Sequence, residues 1–269
     1  MKTFKNKVAV VTGAGSGIGR HLAMQLSQAG AELALSDINA AGLAETLSML
    51  AGQTRVKTYL VDVSKKEHMF AHAVDVKRDF GTAHIVFNNA GVTVLGTVEH
   101  LTLEEIEWQL AINLWGVIYG TKAFLPMLLS QKEGHIVNMS SVFGIVAFPG
   151  QSAYNMSKFA VRAWTECLWR ELEGTGVQAT SVHPGGIKTE LGHTARISVN
   201  AGQVEQRFVE LAEKLLITPP EHAARSILSG VLRGKKRIVC GNKAATLVVL
   251  QRLMPTSYGR AVKLIERFS

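Results

Sequence analysis

Along this chain, short runs of aliphatic residues alternate with longer segments whose apolar positions recur every three or four residues. Val8-Ala9-Val10-Val11 contains no polar residue, the pattern of a strand covered on both faces. Gly17 to Ala29 places Ile18, Leu22 and Leu26 on one stripe, the spacing of a helix with a single core-facing side. The alternation continues: Glu32 to Ser36 predicts a strand, Ala40 to Leu50 a helix, Arg55 to Val61 a strand, Lys65 to Asp79 a helix and His84 to Phe87 a strand. Leu103 to Leu129 predicts one long helix containing Pro126. His135 to Met139 predicts a strand, Ser152 to Leu172 a helix and Val177 to His183 a strand.

Repeated strand–helix–strand units imply a parallel sheet with helices on both faces, because joining parallel strands takes a crossover long enough to hold a helix. No internal repeat, low-complexity linker or composition break divides the chain. The expected fold is therefore a single α/β domain, a doubly wound parallel sheet of the Rossmann type. It is expected to span residues 1–242, with a substrate lid at about 186–218, followed by a basic amphipathic helical extension at 243–269.

Composition narrows the setting. Of 269 residues, 47% are hydrophobic and 19% charged, enough apolar material for a sizeable core. The apolar stretch Ala244 to Leu250 is too short to span a bilayer. The basic start, Met1 to Lys7, is followed by only four apolar residues before Thr12-Gly13, too few for a signal peptide. Cys167 and Cys240 have neither metal spacing nor a disulfide framework, so a cytoplasmic protein with reduced thiols is expected. The net charge of +8 resides at one end: nine basic residues follow position 232, opposed by Glu266 alone. The body of the chain is balanced and lacks a recognition motif, which argues against nucleic acid as a partner.

Two constellations carry chemistry. The first is the turn after the first strand, Thr12-Gly13-Ala14-Gly15-Ser16-Gly17-Ile18-Gly19. It reads T-G-x-x-x-G-x-G rather than G-x-G-x-x-G, with the same physical content. Glycines allow a tight strand-to-helix turn, and backbone N–H groups at a helix start attract a pyrophosphate. A bare glycine-rich turn is the plain alternative. Asp37 follows the second strand, 18 residues beyond Gly19. A carboxylate there suits both ribose hydroxyls and repels a 2′-phosphate; a helix N-cap is its other reading. Neither Ser16 nor Ile38 brings a positive charge, so NAD is preferred over NADP.

The second constellation is Tyr154 and Lys158, four residues apart on one helical face, with Ser141 beyond the strand that ends at Met139. A free tyrosine ionises near pH 10, too high for a base near neutrality, and a neighbouring ammonium is expected to lower that value. A serine hydroxyl beside the pair suits a substrate oxygen. Alone, such a tyrosine–lysine pair is a weak signal; the strand-end serine and the upstream glycine turn strengthen it.

With these residues the chain resembles the short-chain dehydrogenase/reductase family in its compact single-domain form, over about residues 5 to 240. Thr12 to Gly19 is similar to the family's cofactor turn, Asp62-Val63 to its adenine contact, and Asn88-Asn89-Ala90-Gly91 to the motif after its fourth strand. Asn113 is similar to its mid-helix asparagine. Ser141, Tyr154 and Lys158 match its catalytic set, with a 13-residue step from serine to tyrosine. Pro184-Gly185, Ile187 and Thr189 match the segment that holds the nicotinamide carboxamide. Thr180 departs from the pattern, at a place where asparagine is common.

The resemblance implies that Tyr154 exchanges a proton with the substrate oxygen. Lys158 then lowers its pKa and holds the nicotinamide ribose, Ser141 orients the substrate oxygen, and Asn113 holds a water that links Lys158 to solvent. Ser140 lacks the family spacing. It also implies a homodimer or homotetramer, and Trp164 and Trp169 on the Tyr154 helix are expected at the subunit contact. A non-catalytic dinucleotide sensor would have lost one of Ser141, Tyr154 or Lys158. A sugar-nucleotide epimerase or dehydratase would add a substrate domain for which this chain has no room.

The remaining candidates receive plainer readings. His183 is expected in local packing, His193 is a candidate substrate contact in the lid, and His68 with His72 lack a third ligand, so no metal is expected. Leu191, Ile197, Val199, Val204, Phe208, Leu211, Leu215 and Leu216 in the lid suggest an apolar small-molecule substrate, a secondary alcohol or ketone. Val94, Leu95, Val142 and Phe143 point the same way. In the tail, Leu247, Val248, Leu250 and Met254 suggest an apolar helical stripe that Pro255 breaks, before a second helix from Tyr258 to Phe268 with Val262, Leu264 and Ile265 apolar. The expected role is a cover for the pocket or a subunit contact; weak peripheral contact with anionic lipid is the alternative.

Overall fold

The computed structural model describes residues 1–51, 54–202, 205, 209 and 216–259, apart from the side chains of residues 192 and 193. Strands β1 (Val8–Thr12), β2 (Glu32–Asp37), β3 (Val56–Leu60) and β4 (Ile85–Asn88) alternate with helices α1 (Gly17–Gln28), α2 (Ala40–Ser48) and α3 (Lys66–Phe80). After the short β5 (Val94–Leu95), helices α4 (Leu103–Leu110) and α5 (Gly116–Ser130) lead to β6 (Gly134–Met139). Then come α6 (Ser152–Glu171), β7 (Val177–Pro184), a single turn α7 (Glu190–His193), β8 (Arg196–Ile197), α8 (Pro220–Leu232), β9 (Arg237–Cys240) and α9 (Ala244–Leu253).

Among the described residues the main sheet has seven parallel strands in the order β3-β2-β1-β4-β6-β7-β9. The order reverses between β1 and β4, which opens a crevice at their carboxyl ends, the usual ligand position in an open α/β sheet. Every residue of β1 is buried, and successive side chains go to opposite faces. Ala9 and Val11 join Leu22 and Leu26 of α1 and Ile227 and Val231 of α8 in one core. Val10 joins Met69 of α3, Phe124 and Leu128 of α5 and Leu168 of α6 in the other. The uninterrupted apolar run seen in the sequence is thus the signature of a strand with helices on both sides.

Three local features differ from the sequence expectation. The long helix from Leu103 is interrupted by a wider π-turn at Ala111–Trp115, where Asn113 sits. This 28-residue rod is apolar and long enough to span a membrane by composition, yet here it lies against α3 and β4 as a cover of the sheet. Helix α8, with Pro220 in its first turn, supplies the cover for β7 and β9 that the pattern did not reveal. β5 and β8 form a separate two-stranded parallel ladder, Val94 with Arg196 and Leu95 with Ile197, too short to leave a periodic trace.

Candidate active site

The glycine turn stands at the crevice and is braced from β4. Gly13 has a φ of 65°, and a Cβ there would lie 2.8 Å from the Ala90 Cα. The backbone N–H groups of Asn89 and Ala90 donate to Thr12 Oγ1 at 3.0 and 3.1 Å. Asn89 Nδ2 donates to the carbonyls of Thr12 at 2.9 Å and Gly13 at 3.1 Å. Gly19 lies beneath the turn, where a side chain would collide with the Gly13 carbonyl. Ser16 occupies the N-cap position of α1 but makes no side-chain cap bond, and no acidic residue stands in the first turn. The start of α1 thus carries no side-chain cap among the described residues, an arrangement that suits an anion.

Asp37 does not cap α2. Asn39 does, its Oδ1 accepting from the Gly42 N–H at 3.1 Å. The two oxygens of Asp37 accept from the Gly15 N–H at 2.8 Å and the Asn39 N–H at 2.9 Å, which ties the carboxylate to the turn. Asp62 Oδ1 accepts from the backbone N–H and hydroxyl of Ser64 at 2.9 and 2.7 Å. Gly13, Ser16, Gly17, Ile18, Asp37, Asp62, Val63, Asn89, Ala90 and Gly91 border one cleft of about 1420 Å³. Pro184, Gly185, Ile187 and Thr189 complete this arm, whereas Gly15 borders the adjoining hollow beside Arg20.

The other half of the same cleft holds the second constellation. One turn of α6 brings the Lys158 Nζ to 5.5 Å from the centre of the Tyr154 ring. Lys158 is buried, and its Nζ donates to the Met139 carbonyl at 2.8 Å. Ser141, just past β6, accepts from the Phe143 N–H at 3.1 Å and donates to the Pro184 carbonyl at 3.4 Å. Ser140 points away, its hydroxyl donating to the Lys158 carbonyl at 2.8 Å.

The π-turn turns the Asn113 amide toward Val92. Its Oδ1 accepts from the Val92 N–H at 2.8 Å, and its Nδ2 donates to the Val92 carbonyl at 2.9 Å and to Ser157 Oγ at 3.3 Å. A Cβ on Gly91 would lie 3.3 Å from Asn113 Oδ1 and 3.5 Å from Lys158 Nζ, so the amide and the ammonium share one small space.

The expected lowering of the tyrosine pKa by lysine is not what the protein alone shows. Removal from water pushes the Tyr154 phenol up to about 12, against a smaller downward pull from the Ser141 hydroxyl. The same loss of water pulls the Lys158 ammonium down to about 8. Burial disfavours the charged form of each group.

Apolar groups from separated segments frame the space before Tyr154. Phe143 meets the Tyr154 ring edge-on at 6.2 Å and stacks on Phe148 at 5.3 Å. Val142, Leu95, Leu191, Ile197 and Leu216 line the cleft. Val94 turns instead into a small core with Leu101 and Ala153, and Val199 faces solvent. Val204, Phe208, Leu211, Leu215 and the His193 side chain lie outside the described residues, as do Val262, Leu264 and Ile265. The extension closes the far side. Leu247 and Leu250 of α9 border the cleft, and Tyr258 Oη accepts from the Ala147 N–H at 2.8 Å. His72 packs in the core between Tyr59 and Phe124, whereas His68 is exposed on the same helix.

The two tryptophans of α6 are half-buried within this chain, and the rest of their surface is open to the expected subunit contact. Trp164 donates to Thr121 Oγ1 at 3.4 Å, and both Trp164 and Trp169 pack on the core of this chain. The outer face of α6 carries Met156 and Phe159, both exposed.

A family model described as short chain dehydrogenase matches residues 7–200. The chain belongs to this family. It is 47% identical over 266 residues to the oxidoreductase named SadH of Mycobacterium tuberculosis, covering 97% of this chain and 96% of that one. It is 30% identical over 266 residues to estradiol 17-beta-dehydrogenase 11 of Macaca fascicularis, covering 97% and 84%. A short-chain dehydrogenase/reductase from Burkholderia phymatum, solved with NAD, superposes with a TM-score of 0.87 at 29% identity, covering 94% of this chain and 95% of that one. The chain is thus an oxidoreductase of a family that works with nicotinamide dinucleotides, and the doubly wound single domain read from its pattern is the family's fold.

Proposed function

We propose that this short-chain dehydrogenase moves a hydride between NAD(H) and a secondary alcohol or ketone with a hydrophobic body. The observation that carries this reading is the convergence of Ser141, Tyr154 and Lys158 where the glycine-turn arm of the cleft meets its apolar arm. Bound in the first arm, the dinucleotide supplies a hydride acceptor or donor. The chain supplies position and a proton route. Ser141 holds the substrate oxygen, and Tyr154 takes its proton as the carbinol carbon loses hydride, or returns it in the reverse direction. Lys158, with Asn113 beside it, holds the nicotinamide ribose and favours the phenolate. In the protein alone burial keeps the phenol neutral, so its ionisation would draw on the positive charge that an oxidised nicotinamide supplies when bound beside it.

Asp37, tied to the Gly15 N–H, supports NAD over NADP, since a 2′-phosphate beside that carboxylate would meet like charge. The apolar walls and the similarity to an estradiol dehydrogenase support a hydrophobic substrate body. Intact Ser141, Tyr154 and Lys158 favour catalysis over cofactor sensing. A cytoplasmic setting and assembly into a homodimer or homotetramer complete the reading, with exposed Trp115, Met156 and Phe159 as the apolar surface available to a second copy. The extension serves as a cover for the pocket, with weak, reversible contact with anionic lipid as the alternative, which salt-sensitive sedimentation with anionic vesicles tests. The central test is cofactor turnover on a panel of secondary alcohols and ketones of graded size. Turnover should favour bulky apolar members with NAD(H); cofactor binding without turnover anywhere in the panel would favour the sensor instead.

A further inference from the structure

His183 stands at the end of β7 beside Ser141, and none of the steps above uses it. Its ring is fully buried. Nδ1 lies 2.8 Å from the backbone oxygen of Ser141, and Nε2 lies 2.9 Å from Ser181 Oγ. A carbonyl oxygen only accepts, so Nδ1 carries the proton. Nε2 of the neutral ring is then the acceptor, and the buried Ser181 hydroxyl donates to it. Burial also holds the imidazole neutral, pulling its pKa down to about 4.

The ladder between β6 and β7 stops at Met139 with Val182. Ser140 and Ser141 continue beyond it without a strand partner; the Ser141 carbonyl accepts from the Gly144 N–H at 2.9 Å within its own turn, and the His183 ring is the second donor, the one that ties this carbonyl to β7. The next residue, Pro184, accepts from the Ser141 hydroxyl at 3.4 Å. The end of one strand therefore holds both the backbone and the side chain of the serine.

We infer that His183 is a positioning residue, whose Nδ1–H fixes the Ser141 backbone and so aims the Ser141 hydroxyl beside Tyr154. This rests on the reading of Ser141 as the group that orients the substrate oxygen.

The test compares asparagine with glutamine at this position. Asparagine presents an amide N–H near the place of Nδ1, whereas glutamine reaches the place of Nε2 and leaves the Ser141 carbonyl with the Gly144 N–H alone, untied from β7. Each full-length variant is assayed with a ketone that the wild type turns over, alongside its cofactor affinity and melting temperature. His183→Asn is expected to keep kcat within about threefold, and His183→Gln and His183→Leu to lose about tenfold, with cofactor affinity unchanged. In a Ser141→Ala background, the same substitutions are expected to change kcat by less than about twofold, because the hydroxyl they aim is gone. Equal losses for asparagine and glutamine, or a loss that multiplies with Ser141→Ala, would overturn the inference, as would wild-type kcat in His183→Gln. Where His183→Leu fails to fold, the two amide variants still decide. Ser141→Ala alone tests the underlying reading: wild-type kcat there removes Ser141 from its role and the inference with it.

Discussion

The two arms of the cleft are built by different means. The cofactor arm comes from strand ends and the turns beside them, and it offers backbone N–H groups, a carboxylate and space left by missing side chains. Its main feature is a contiguous strand-to-helix turn, Gly13 to Gly19, braced from β4 by Asn89 and Ala90. The substrate arm has no such unit. Phe143 and Phe148, the lid residues Leu191 and Ile197, and Leu247 and Leu250 of the extension come from segments that only the fold brings together. The pyrophosphate is common to NAD and NADP, so a fixed local motif serves both. A substrate-shaped apolar wall can come from any side chains of suitable size, and it leaves no fixed spelling.

Tyr154 sits where the arms meet, so its loss should silence the chemistry and leave the cofactor arm intact. Tyr154→Phe is expected to lower kcat by about 10²–10⁴-fold, with cofactor affinity preserved in a fluorescence titration. Substantial residual turnover would remove Tyr154 from its role. Asp37→Ala touches the first arm alone. It should narrow the preference for NAD over NADP by on the order of tenfold, about 1.4 kcal/mol in the ratio of kcat/KM values. A wild-type enzyme that already prefers NADP would refute the assignment.

Leu250→Ala touches only the second arm. The KM for bulky ketones should rise roughly threefold to tenfold while small ketones are unaffected. A uniform effect across sizes would mean that α9 is not a substrate wall. The smallest effect concerns stability at the junction. Burial lowers the Lys158 pKa from 10.5 to about 8, so the folded state releases this proton before the unfolded state does. Its contribution is full above the unfolded value and is lost as pH falls through the folded one. Stability should therefore rise between about pH 8 and 10.5 on this account, and Lys158→Met should melt roughly 2–6 °C higher at pH 7 with the gain shrinking above pH 8. An unchanged difference from pH 7 to 10 would show that the ammonium carries no burial cost.

The amino-acid sequence alone determined the parallel sheet, because a strand buried on both faces must read as an unbroken apolar run and its covering helices must repeat every three or four residues. It also determined the glycine turn and the set Ser141, Tyr154 and Lys158, whose spacing is dictated by one strand end and one helical turn. Tertiary structure decided the rest. The π-turn at Asn113 shows no break in periodicity, since one extra residue in a turn only shifts the stripe. The inward packing of Trp164 and Trp169 depends on which neighbours α6 meets, and helical spacing does not name them. The upward shift of Tyr154 depends on exclusion of water by groups from several segments, an effect of burial that proximity to Lys158 along a helix could not reveal. Chain order specifies local geometry and chemistry, whereas solvation and the far wall of a pocket arise from contacts between residues distant in sequence.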